Sequence, residues 1–212
     1  MENHTHRTAH GAKRIQALTD TAAELFLERG YEGVSIDALI TQVGGSRRNV
    51  YGRFGGKEGL FIETVKRLCD EQAQPLRKMQ IAEAELGPAL VLFGERILEI
   101  VLQPRTLALH RLMIAEGQRF PELSRAILQT GHEACAEILA DWLCTRRSLF
   151  RADLSVVTLA NQFLTLLTAA PQLQALVGQQ DTSLSSAERT HLSRETVITF
   201  LHGVLPGDAP HA

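Results

Sequence analysis

Gly44-Gly45-Ser46-Arg47-Arg48-Asn49-Val50-Tyr51-Gly52-Arg53-Phe54-Gly55-Gly56-Lys57 gathers three arginines, a lysine and a tyrosine without one acidic residue. Read as a short helix, the segment turns Val50 and Phe54, one turn apart, toward a core. Arg47 with Tyr51, Arg48 with Gly52, and Asn49 with Arg53 then form outward i, i+4 pairs. Those types suit a DNA major groove: arginine pairs bidentately with guanine O6 and N7, asparagine with adenine N6 and N7, and a tyrosine hydroxyl reaches phosphate. Gly52 adds no side chain, which lets the backbone approach DNA closely.

The preceding segment supports the helix. Ile36, Leu39, Ile40 and Val43 follow the i, i+3, i+4, i+7 spacing of one buried stripe, Ser35 can cap its start, and Asp37 sits near the positive helix end. Gly44-Gly45 breaks that helix and Ser46 caps the next. Two short helices joined by a tight glycine corner predict a helix-turn-helix.

From Lys13 to about Thr64 the chain resembles the DNA-binding domain of the TetR/AcrR transcriptional regulators. The likeness rests on Ala23-Glu24-Leu25-Phe26-Leu27-Glu28-Arg29-Gly30-Tyr31-Glu32-Gly33-Val34-Ser35-Ile36, then Tyr51, Phe54, Lys57, Glu58, Leu60 and Phe61. It implies phosphate contacts from Ser35, Tyr51 and Lys57 and base contacts from Arg47, Arg48, Asn49 and Arg53, with Ser46 completing the DNA-binding set. The chain departs from that pattern at Gly45, where an apolar residue is usual, and at Gly56, where serine or asparagine usually caps the next helix. Glu116-Gly117-Gln118-Arg119-Phe120-Pro121-Glu122-Leu123 is similar to the AefR-like branch of the family.

At 212 residues the chain can bury a substantial core in one or two domains. Residues 1–57 hold eight Lys/Arg against six Asp/Glu, and residues 58–212 hold fourteen against eighteen. A basic reader followed by an acidic body fits a protein that meets DNA at one end. No apolar run is long enough to span a bilayer, and the polar start lacks a signal-peptide core, so a cytoplasmic location without membrane contact is expected. Cys69, Cys135 and Cys144 have no paired spacing; on one helix, Cys135 and Cys144 would stand about 13 Å apart on opposite faces, which predicts buried small hydrophobes.

The organisation expected is all-α: a flexible arm at 1–12 containing His4, His6 and His10, a three-helix helix-turn-helix domain at 13–58, a helical effector-binding and dimerisation domain at 59–205, and a polar tail at 206–212. The first helix should run from Lys13 to Arg29, with Ile15, Leu18, Ala22, Leu25 and Phe26 inward. Later helices are predicted near 57–81, 87–102, 105–117, 121–147, 155–177 and 186–204, with Pro171 kinking or splitting the penultimate one and a Ser185/Glu188 capping box opening the last. The family resemblance implies a small-molecule pocket, for which Phe93, His110, Met113, His132, Trp142 and Phe163 are candidates. It also implies a four-helix homodimer seam, with Leu159, Phe163, Leu166, Leu167, Val197, Phe200 and Leu201 as candidates.

These features predict a ligand-responsive repressor released from a palindromic double-stranded operator by a small molecule, with no cofactor, catalytic residue or metal site. The alternatives are a metal- or redox-sensing regulator built on His132, Cys135 and Cys69, and a helical-bundle enzyme. The single Glu-x-x-His pair, Glu188 and His191, is too few for a carboxylate-bridged metal site, and no phosphate loop or nucleophile elbow is present.

Overall fold

The computed structural model describes residues 2–81, 85–178 and 184–204, with side chains from residue 13 onward. Among these residues the elements are helices alone: α1 (Glu2–Arg29), α2 (Ile36–Val43), α3 (Arg47–Phe54), α4 (Lys57–Arg77), α5 (Leu86–Val101), α6 (Pro104–Glu116), α7 (Pro121–Leu128), α8 (Ala134–Cys144), α9 (Val156–Leu176) and α10 (Ser186–Val204). A π-helical turn, Gln129–Glu133, joins α7 to α8, and a 3-10 turn covers Arg147–Leu149.

The chain forms two compact units, Met1–Glu71 with Ala108–Ile127, and Gln72–Leu107 with Leu128–Ala212. The first unit takes in more than residues 13–58. Leu60, Phe61, Val65 and Leu68 of α4, Leu109, Leu112 and Met113 of α6, and Phe120 and Leu123 join Phe26, Tyr31, Val50 and Phe54 in one core. A three-helix unit is marginal by itself at that length, and these added side chains bury further apolar surface worth about 1.5–3 kcal/mol for each large one fully buried. Phe26, Tyr31, Phe61 and Phe120 meet edge-on or tilted at its centre, with Phe61 4.9 Å from both Phe26 and Phe120.

In the second unit Phe93, Leu98, Leu139, Trp142, Phe163, Leu167, Val197 and Phe200 share a separate core. α5 packs closely on α10 because Gly94 faces Ser193: a Cβ at Gly94 would stand 3.0 Å from the Ser193 hydroxyl. The Ser185/Glu188 capping box forms as expected, the Ser185 N–H donating to the Glu188 carboxylate at 2.8 Å and the Glu188 N–H donating back to the Ser185 hydroxyl at 3.3 Å.

Several boundaries differ from expectation. α1 begins at Glu2 instead of Lys13, because residues 2–12 contain no proline and the helical hydrogen-bond ladder continues through them. The expected arm is thus helical backbone, and the side chains of His4, His6 and His10 lie outside the described ones, as does the tail at 206–212. Ile15 is 38% exposed and leaves the inward stripe, whereas Leu18, Ala22, Leu25 and Phe26 are buried. α4 ends at Arg77, short of residue 81. α9 runs unbroken through Pro171, its other backbone bonds outweighing the one amide donor the proline lacks. The long helix expected over 121–147 is interrupted by the π turn, which separates α7, whose Leu123 belongs to the first core, from α8, whose Leu139 and Leu143 belong to the second.

Candidate nucleic-acid interface

The glycine corner between α2 and α3 is built from local backbone chemistry. Ser35 caps α2, its hydroxyl accepting from the Ala38 N–H at 3.1 Å, and the Gly44 N–H closes that helix on the Ile40 carbonyl at 2.9 Å. Gly45 has φ +141, a conformation that side-chain-bearing residues rarely adopt, so its departure from the family's apolar residue is what this turn requires. Ser46 caps α3 by accepting from the Asn49 N–H at 3.3 Å. Each capping hydroxyl accepts through a lone pair, leaving its own O–H to donate.

Val50 and Phe54 anchor α3 in the first core, as the spacing predicts. Arg47, Arg48, Asn49, Tyr51 and Arg53 are exposed, Tyr51 at 57%, unusually high for a large aromatic. Gly56 has φ +126, and a Cβ there would approach the Tyr51 ring to 3.3 Å, so bare glycine accommodates the tyrosine. Arg48 enters no ion pair among the described residues. The other cations are tethered. Arg47 grips Asp37 with two guanidinium nitrogens, Nε at 2.6 Å, and this hydrogen bond holds the Asp37 carboxyl below the usual carboxylate range. Arg53 lies 3.4 Å from Glu63, and half-buried Lys57 lies 3.7 Å from Glu32. All these carboxylates are exposed, so the pairs are screened and exchangeable for another anion.

A hollow of about 1000 Å³ opens beside α3. Arg14, Ile15 and Leu18 of α1 line it together with Gly44, Gly45, Ser46, Arg48, Asn49, Gly52 and Arg53. Its polar wall is entirely cationic or neutral. Sequence reasoning missed Arg14, because nothing in local spacing links residue 14 to residue 48. It also missed Gly59, where a Cβ would fall 1.7 Å from the Phe54 carbonyl oxygen, locking the close approach of α4 to the end of α3.

Residues 18–64 match the bacterial regulatory proteins of the tetR family, and residues 88–203, more than half the chain, match the C-terminal domain of AefR-like transcriptional repressors. The chain belongs to the TetR family. Its fold is shared by a TetR-family transcriptional regulator of Mesorhizobium loti at 25% identity and TM-score 0.75, covering 92% of this chain and 98% of that one. The flavonoid-responsive regulator FrrA is similar at 27% identity and TM-score 0.75, covering 93% and 100%. A 45-residue stretch is 42% identical to the uncharacterised HTH-type transcriptional regulator YezE of Bacillus subtilis, and it spans 21% of this chain and 23% of that relative. This TetR-family protein is a ligand-responsive DNA-binding transcriptional repressor, and its family are regulators, not enzymes.

The regulator's other sequence-predicted sites fare unevenly. Phe93, Trp142 and Phe163 lie together in the second core, whereas Met113 is buried in the first unit, half-buried His110 lies there too, and His132 is exposed with Nε2 3.0 Å from the Asn161 side-chain oxygen. Four of the six therefore lie in the second unit and two in the first. The seam candidates also need correction: Leu159, Phe163, Leu167, Val197 and Phe200 are buried inside the chain and Leu201 packs against the same core, because α9 and α10 turn their richest apolar faces inward. Leu166 is exposed, and Val157, Leu173, Val177 and Ile198 join it as outward apolar residues of α9, its C-terminal end and α10.

Cys135 is buried, as expected, and Cys69 is buried too, but Cys144 is exposed, since Cys135 faces the core and nine residues along α8 turn Cys144 away. Glu188 is occupied in capping, and His191 lies 3.5 Å from Glu195. No group of three metal-ligating side chains forms among the described residues, and no helix there is long and apolar enough to cross a membrane.

Proposed function

We propose that the regulator binds a two-fold operator as a homodimer, setting one α3 into each of two major grooves roughly 34 Å apart. Arg48 and Asn49 read base edges, with Arg47 and Arg53 exchanging their carboxylate partners for bases. Ser35, Ser46, Tyr51 and Lys57 hold phosphates. The observation that carries this reading is α3 itself: a doubly capped helix backed by Val50 and Phe54 that leaves Arg48, Asn49 and Tyr51 open. Leu166, Leu173, Val177 and Ile198 supply the self-association face, because exposed apolar residues on two helices favour burial against a second copy.

The effector is a flat, largely apolar aromatic molecule bound in the second unit. FrrA's flavonoid response supports that class, as do Phe93, Phe163 and Trp142, whose indole N–H is buried without an acceptor. By linkage, effector and operator weaken each other's binding by the same factor, a few kcal/mol for full release.

Anisotropy of a labelled fragment of the regulator's own promoter tests the DNA reading. Arg48→Ala should cost about 1–3 kcal/mol and relax discrimination at one base pair. Equal losses on operator and random duplex would remove the base-reading role. Trp142 is the sole tryptophan, so its fluorescence reports the second unit directly. A panel of flavonoids that changes neither this emission nor operator affinity would overturn the effector class.

A further inference from the structure

Two cations from distant parts of the chain converge on one exposed carboxylate beside the reader. Glu32, in the loop from α1 to α2, accepts a hydrogen bond from Arg119 on one oxygen, while the other lies 3.7 Å from Lys57 Nζ. Lys57 also lies 3.5 Å from the Glu32 carbonyl. Both cations stand 4.3 Å from the centroid of the Tyr31 ring. Arg119 further stacks over Phe120, whose ring packs against Tyr31 and Phe61. Three residues earlier, Glu116 accepts the Tyr31 N–H at 3.3 Å. The connector from α6 to α7 is thereby fastened to the Tyr31-Glu32 loop.

We infer that Arg119 is a positioning residue for DNA binding: it occupies the Glu32 carboxylate and so leaves Lys57 available to a phosphate. The inference rests on the DNA-binding reading above. Arg119 makes a true hydrogen bond to Glu32, whereas the Lys57 ammonium stands at the looser distance, so the guanidinium is the stronger partner. That hydrogen bond is also the first cause holding the Glu32 carboxyl below the usual range, with Lys57 contributing less. Without Arg119, Glu32 stays ionised at neutral pH and has Lys57 as its one remaining cation. Lys57 is then neutralised before DNA arrives.

The test compares unaltered protein, Arg119→Gln, Glu32→Gln and the double variant on an operator duplex across a salt series, with melting curves for each. Glutamine keeps an amide and stem over Tyr31, and Arg119→Lys serves as a second variant that retains the charge. Arg119→Gln should weaken binding about 2- to 5-fold, the range of a surface ion pair, and flatten the logarithmic salt slope by up to about 0.9, one phosphate contact. Arg119→Lys should remain close to the unaltered protein. In the Glu32→Gln background the Arg119→Gln loss should vanish, because no carboxylate remains to capture Lys57. A loss that persists there overturns the inference and makes Arg119 a direct DNA contact or a structural prop. An unchanged affinity and slope in the single variant overturns it too. If the unaltered protein binds no duplex at low salt, the DNA-binding reading fails first; if it binds and Arg48→Ala weakens it, any failure belongs to Arg119 alone.

Discussion

Gly52→Ala should move two measurements in opposite directions. Gly52 is an exposed interior residue of α3, and a Cβ built there meets no heavy atom within 4 Å. The substitution therefore causes no clash and gains no packing, leaving the helix preference of alanine, about 0.8–1 kcal/mol. For a chain of this size that corresponds to a rise of roughly 2–4 °C in Tm. Gly52 also lines the cationic hollow with Arg48 and Asn49, one turn after Arg48. If this face enters the groove, a methyl standing about 1.5 Å off the Cα holds the backbone away and stretches the Arg48 fork beyond hydrogen-bond reach. Losing one bidentate base contact costs about 1–3 kcal/mol, or roughly 5- to 150-fold in Kd. Calorimetry and anisotropy on the same preparation measure both. A higher Tm with unaltered operator affinity would show that this face of α3 does not meet DNA.

Gly59→Ala should behave oppositely in melting: its Cβ would fall 1.7 Å from the Phe54 carbonyl, so the end of α3 must retreat, costing about 1–3 kcal/mol, and calorimetry should show a lower Tm. An unchanged melt would mean that this corner yields freely. With a chromogenic disulfide at pH 8, one thiol should react quickly and Cys144→Ser should abolish it, because Cys69 is buried and burial pushes the Cys135 thiol up to about 12. A second fast thiol would contradict the assigned burial. Leu173→Glu with Ile198→Glu should yield a helical monomer by light scattering where the unaltered protein should run as the proposed dimer, since both side chains point outward. By contrast Leu167→Glu, inside the core, should lower helix content, and a persistent dimer in the first variant would shift the self-association face elsewhere.

The reader helix was legible because its determinants are local. Capping serines, glycines at positive φ and one apolar turn lie within a dozen residues, and the same holds for the Ser185/Glu188 box. The seam was not, because apolar periodicity marks what is buried but not against what. Val197 and Phe200 satisfy a partner-facing pattern as well as a core-facing one, and the chain's own core claims them. The effector set divides for a related reason: residue type alone could not tell that Met113 and Phe93 belong to different cores. Contacts such as Arg119 with Glu32 join residues 87 positions apart, beyond any helical spacing rule. The Arg119-Phe120-Pro121 motif marked a helix start in sequence, and its cation's target became visible only in three dimensions.

The π turn at Gln129–Glu133 works as a phase corrector within one continuous spiral. Each residue of an α-helix advances about 100°. A π turn takes up one more residue than an α turn in nearly the same rotation, so deleting a single residue there would restore regular winding and leave Leu139 and Leu143 facing their own core and Leu123 facing its own. The same deletion within the regular turns of α8 would swing the side chains beyond it by about a quarter-turn, so the π turn is the place in this stretch where a residue can be lost without repainting the inner stripe of α8.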